Sequence, residues 1–117
     1  MNLTHCHIQV KDMPRARHFY EGVFEFFEDF VCDEDEVFLR NQAGFVLGME
    51  RVGSPESLPR WFHFGFDTGS EAKLREVFAR VRAGGYAVKR EIKDFVDTVN
   101  FYCEDPDGNQ IEVYCKR

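Results

Sequence analysis

Two stretches of this chain change hydrophobic period in the same order, and that repeat constrains the fold more than any single motif. Thr4 to Val10 alternates with period two: His5, His7 and Gln9 fall on one face, Cys6, Ile8 and Val10 on the other. Pro14 then suits a first helical turn. From Arg15 to Phe27 the spacing lengthens, and Ala16, Phe19, Val23 and Phe27, joined by Tyr20 and Phe24, form one wide apolar face. A short strand and turn within Glu28–Glu36 and strands at Val37–Arg40 and Gly44–Glu50 complete the first unit. The second repeats the plan. Trp61 to Asp67 alternates, with Trp61, His63, Gly65 and Asp67 on one face and Phe62, Phe64 and Phe66 on the other. Ser70 suits an N-cap, Leu74, Val77, Phe78 and Val81 make the buried stripe, and Gly84-Gly85 ends the helix. Strands are expected at Tyr86–Arg90, Thr98–Cys103 and Gln110–Cys115, the last entered through the turn Asp105-Pro106-Asp107-Gly108-Asn109.

The expected fold is α+β: two βαβββ modules, residues 1–52 and 60–117, forming a cup-shaped mixed sheet in a single domain. Residues 53–59, with Gly53, Ser54, Pro55 and Pro59, are the linker. At 117 residues and 44% hydrophobic composition, one such domain has enough material for a core. A formal charge of −6 argues against a nucleic-acid partner, which needs a basic face. No run approaches 18 apolar residues and the N-terminus lacks a basic and apolar leader, so neither membrane nor secretion is expected. The four cysteines form no CxxC pair; they sit in strand-like stretches and read as small buried hydrophobes in a reducing cytoplasm.

The outer strands carry polar alternates: His5, His7 and Gln9 in the first, Gln110 and Glu112 in the last. Such a face is either solvated or lines a cavity. On it the first module offers His5, His7 and Glu50, and the second His63, Asp67, Tyr102 and Glu112. Two imidazoles and a carboxylate make a common shell for Zn, Ni, Mn or Fe(II). His63 reads equally as a histidine hydrogen-bonded within an aromatic strand. Glu112, between Ile111 and Val113, needs a partner if buried, or faces solvent if the sheet is open.

Three segments carry a resemblance: His5-Cys6-His7-Ile8-Gln9-Val10-Lys11-Asp12-Met13-Pro14, then His63-Phe64-Gly65-Phe66, then Asp105-Pro106-Asp107-Gly108-Asn109-Gln110-Ile111-Glu112-Val113. In this order and spread over nearly the whole chain, they resemble the vicinal oxygen chelate superfamily of glyoxalases, bleomycin-resistance proteins, fosfomycin thiol transferases and extradiol dioxygenases. The resemblance implies His5, His63 and Glu112 as ligands of one divalent ion. It also implies a homodimer in which His5 of one chain joins His63 and Glu112 of the other, around a small-molecule substrate. The leading expectation is a metal-dependent glyoxalase-like lyase or isomerase for a substrate with vicinal oxygens. Glu50 or His7 is the candidate base, and Tyr102 the hydrogen-bond donor to bound oxygen. Alternatives are a small extradiol-type dioxygenase or thiol transferase, with His7 as acid–base residue in the former, and a drug-binding protein without catalysis. The glyoxalase fourth-strand carboxylate has its place near Gly48, with Glu50 two residues later. The thiol transferases' first-strand threonine matches His7, and their late arginine has no counterpart, which disfavours fosfomycin resistance. Arg15, Arg40, Lys89 and Arg90 are the cations available for a substrate carboxylate.

Overall fold

The structure is a computed structural model that describes residues 1–117. It divides into two compact units, Met1–Ser57 and Leu58–Arg117, so the division falls inside the expected linker. In the first, β1 (His5–Val10) leads to α1 (Met13–Phe24), then β2 (Phe27–Asp33), β3 (Glu36–Arg40) and β4 (Val46–Arg51). The sheet order is β1-β4-β3-β2, with β1 parallel to β4 and the other pairs antiparallel. In the second, β5 (His63–Asp67), α2 (Glu71–Ala83), β6 (Val88–Asp94), β7 (Thr98–Glu104) and β8 (Gln110–Lys116) repeat this as β5-β8-β7-β6, with β5 parallel to β8. The α+β class and the doubled βαβββ plan read from the sequence are therefore observed.

Period and caps set these elements. Asp12 accepts the Arg15 N–H at 3.0 Å and Pro14 occupies the first turn of α1. Ser70 Oγ accepts the Lys73 N–H at 3.1 Å at the start of α2. Each cap is worth about 1 kcal/mol. Ala16, Phe19, Tyr20 and Val23 are buried beneath α1 against Val10, Leu47 and Met49 of its sheet. Leu74, Val77 and Val81 do the same beneath α2 with Phe101, Ile111 and Val113. Each large apolar side chain withdrawn from water contributes roughly 1.5–3 kcal/mol. In both units the helix claims one parity of the strands, which leaves the polar parity on the opposite sheet face.

Several expectations shift. The first helix ends at Phe24, because Glu25 adopts a left-handed φ of 62° and its N–H bonds back to Tyr20. Phe26 is buried behind that turn, while Phe27 starts β2 at 48% exposure rather than ending a helical stripe. β4 starts at Val46, β5 at His63 and β6 at Val88, each two residues later than the spacing predicts. Trp61 consequently precedes its strand and is 80% exposed, and Phe64 and Phe66 are half-buried. Only Cys103 and Cys115 are buried; Cys6 is half-buried and Cys32 exposed on the edge strand β2. No helix is long and apolar enough to cross a membrane.

Candidate functional site

The second unit brings three predicted residues together. Its last strand is positioned by the Asp105–Asn109 turn. Asp105 Oδ1 accepts the N–H groups of Asp107 and Asn109, both at 2.9 Å, and Oδ2 accepts Asn109 Nδ2 at 2.8 Å. Gly108 supplies the φ of +84° that the turn requires. β8 then pairs so that Glu112 lies opposite Tyr102 on one side and Gly65 on the other. His63 Nε2 comes to 3.4 Å from Glu112 Oε1, and its ring meets the Tyr102 ring edge to face at 5.3 Å. The side chains of His63 and Glu112 are 37% and 23% exposed, so the pair stays reachable from solvent.

Two residues outside the expected ligands and catalytic residues complete this cluster. Asn100 Nδ2 donates to Glu112 Oε2 at 2.8 Å. Arg90 donates to Asn100 Oδ1 and, at 3.2 Å, to the Glu91 carbonyl, while its guanidinium stacks 5.0 Å from the Tyr102 ring centroid. Burial pushes the Tyr102 phenol above its ordinary value, and the Glu112 charge adds to this against the opposing pull of Arg90. Arg90 was legible only as a spare cation. Asn100 shares the parity of Tyr102, two residues away, and that alternation is the signal that could have found it.

The first unit has its own candidates. His5 and His7 line a cleft of about 410 Å³ with Phe38, Arg40, Val46 and Gly48. The Thr4 hydroxyl lies 3.1 Å from His5 Nδ1, so that contact does not involve Nε2. A Cβ on Gly48 would stand 2.6 Å from His7 Nδ1 and 3.0 Å from the Phe38 ring, so the glycine makes the room that His7 occupies. Glu50 falls between Gln9 and Glu36 in register, two pairs beyond Gly48, and does not line the cleft. A larger cavity of about 1060 Å³ lies between α1 and the β2–β3 hairpin. It contains none of the predicted residues. Its arginines are already engaged, Arg17 by Glu21 and Glu28, and Arg51 by Asp35.

The donor chemistry suits a divalent ion at His63 and Glu112. Two donors about 2.1 Å from a common ion at a tetrahedral angle stand about 3.4 Å apart, which is the separation found. No three His, Cys, Asp or Glu side chains form a ligand group within the chain. His5, the third expected ligand, belongs to the other unit.

Comparison with known proteins agrees with the doubled plan. A possible glyoxalase from Bacillus cereus is 29% identical, with 98% of this chain and 99% of that chain covered and a TM-score of 0.83. The fosfomycin resistance protein FosX from Listeria monocytogenes is 23% identical over 98% and 93%, also at 0.83. A lactoylglutathione lyase from Agrobacterium tumefaciens is 20% identical over 97% and 92%, at 0.75. The last two likenesses concern the fold alone. No curated protein matches the sequence. The family model Glyoxalase/Bleomycin resistance protein/Dioxygenase superfamily matches residues 2–113, and the chain belongs to that superfamily.

Proposed function

We propose that the protein is a metal-dependent glyoxalase-like lyase or isomerase acting on a small substrate with vicinal oxygens. The observation that supports this reading is the His63–Glu112 pair at donor-to-donor spacing, with Tyr102 against it. His63, Glu112 and His5 would hold one divalent ion, Zn, Ni, Mn or Fe(II), with His5 supplied by a second copy in a homodimer. Such an ion, when bound, accepts two neighbouring oxygens and stabilises the negative charge that develops on them. The chain's own residues do the rest. Tyr102 donates a hydrogen bond to a substrate oxygen. Glu50 or His7 takes the proton alpha to a carbonyl and returns it to the adjacent carbon, so no redox partner is needed. Gly48 gives His7 space to approach.

The test is metal content per chain for the wild type, His5→Ala, His63→Ala and Glu112→Ala, together with proton exchange in D2O for a panel of α-hydroxycarbonyls and hemithioacetals. One ion per chain, lost in each variant, with oxygen-independent exchange, is expected. Absence of metal after incubation with Ni, Zn, Mn and anaerobic Fe(II) overturns the reading. So does turnover that requires Fe(II) and oxygen. A protein that stays monomeric at micromolar concentration with full occupancy overturns the shared site.

A further inference from the structure

We infer that Asn100, itself oriented by Arg90, is the positioning residue that turns Glu112 into a one-oxygen ligand. The inference rests on the reading of His63 and Glu112 as metal ligands and adds how this chain sets their geometry.

A carboxylate on a strand has a loosely restrained terminal torsion and two equivalent oxygens. Left alone, Glu112 would present either oxygen, or both, to whatever approaches. In this chain Oε2 is capped by Asn100 Nδ2 at 2.8 Å, Oε1 is the oxygen beside His63 Nε2, and the Tyr102 hydroxyl also donates to the carboxylate. The amide can cap only if its NH2 faces Glu112. An amide has one donating and one accepting end, and nothing in its shape selects between them. The acceptor-only carboxylate favours the donating end, and Arg90 fixes that choice from the other side. A guanidinium only donates, so its bond to Asn100 demands Oδ1 on that side and sends Nδ2 towards Glu112. Arg90 is held in turn by the Glu91 carbonyl and by the Tyr102 ring. The register shifts around Arg90 in β6 fall at this point of the ladder, where a bulge re-aims a side chain. Arg90, Asn100 and Glu112 come from three successive neighbours in the sheet, β6, β7 and β8. The chain of bonds therefore runs across the sheet towards the ligand pair.

The experiment measures the affinity of the purified full chain for Zn²⁺ alone, by competition with a chromophoric chelator. The variants are Glu112→Ala, Asn100→Leu, Arg90→Ala, Arg90→Lys and the double variant Arg90→Ala/Asn100→Leu. Asn100→Leu keeps the volume and removes both polar ends. It is expected to weaken Zn²⁺ binding 10- to 100-fold, the usual cost of losing an outer-sphere partner, with an unchanged metal-free melting temperature. Arg90→Ala is expected to weaken it less, Arg90→Lys to restore most of the loss, and the double variant to match Asn100→Leu. Wild-type affinity in Asn100→Leu, while Glu112→Ala loses the metal, overturns the positioning role and leaves the ligand reading standing. Equal affinity of wild type and Glu112→Ala instead overturns the ligand reading itself. A further loss in the double variant overturns the route through Arg90. Should Asn100→Leu not fold, Asn100→Ser carries the same comparison.

Discussion

Replacing Asp105 by alanine should destabilise the protein by about 3 kcal/mol, and the size follows from three lost hydrogen bonds. Asp105 is 4% exposed and Asn109 3%. Without the carboxylate, the Asn109 N–H and its side-chain NH2 remain buried with no acceptor, at roughly 1–2 kcal/mol each. The Asp107 N–H is half-buried and recovers water, so its loss is about 0.5 kcal/mol. Urea unfolding followed by far-UV circular dichroism measures the result. With a slope of about 1.5 kcal/mol/M for a chain of this size, the midpoint falls by about 2 M, and the melting temperature by about 10–15 °C. Asp105→Asn is the sharper comparison. It keeps one oxygen for the two backbone donors and sets a new NH2 against Asn109 Nδ2. Rotation of the Asn109 amide relieves that clash, so about half the loss is expected. A loss below 1 kcal/mol for Asp105→Ala, or a larger loss for the asparagine, would refute the account. Loss of register in β8 is the functional corollary, since this turn places Glu112 opposite Tyr102.

Other outcomes follow from the same contacts. Cys32 is exposed, yet Glu36, by hydrogen bond and charge, holds its thiol up at about 11. At pH 8 iodoacetamide should alkylate it roughly 100-fold more slowly than an ordinary surface thiol, and Glu36→Gln should restore the rate; equal rates before and after the change would count against this. Cys103, buried and pushed up to about 12, should label only in denaturant. Phe101→Ala removes a fully buried ring stacked edge to face on Phe78 at 5.1 Å, and should cost about 3–5 kcal/mol in urea unfolding. Gly48→Ala should destabilise by about 1–2 kcal/mol, since overlap with His7 and Phe38 outweighs the gain of roughly 0.4–1 kcal/mol from a stiffer unfolded chain. A stabilised alanine variant would show that His7 does not need the space.

The sequence carries those features whose causes are local. The Asp105–Asn109 turn, the Ser70 cap and the alternation of β1 and β8 each depend on a few neighbouring residues, and each appears where the pattern puts it. The end of α1 does not, because Glu25 takes a left-handed conformation that glycine or asparagine usually signals. Cys32 and Phe27 read as core from their neighbours, but β2 is an edge strand whose residues are all exposed. The juxtaposition of His63 with Glu112 joins residues 49 positions apart. Strand parity put both on one face in advance, and the family resemblance made them ligands of one ion. The role of Asn100 depends on cross-strand register and on a ladder irregularity at Arg90 that no hydrophobic period encodes.

The repeat also shows why one plan can carry unequal chemistry. In both units the polar parity of the sheet is set aside by the helix, so substitutions there leave the core intact. The first unit uses this freedom for access: Gly48 is small where a side chain would strike His7, and Thr4 contacts only Nδ1 of His5. In the second, the freedom goes to restraint, with Glu112 hydrogen-bonded by Asn100 and Tyr102 and His63 stacked on Tyr102. A restrained pair costs little entropy to bring onto a bound ion, whereas two open histidines can adapt to whatever meets them. On the proposed reading, beyond the ligands His5, His63 and Glu112 themselves, affinity for the ion should respond to Asn100, Tyr102 and Arg90. Selection among substrates should respond to Gly48, His7 and Phe38. Variants of the first set that altered substrate preference at unchanged Zn²⁺ affinity would reverse that assignment.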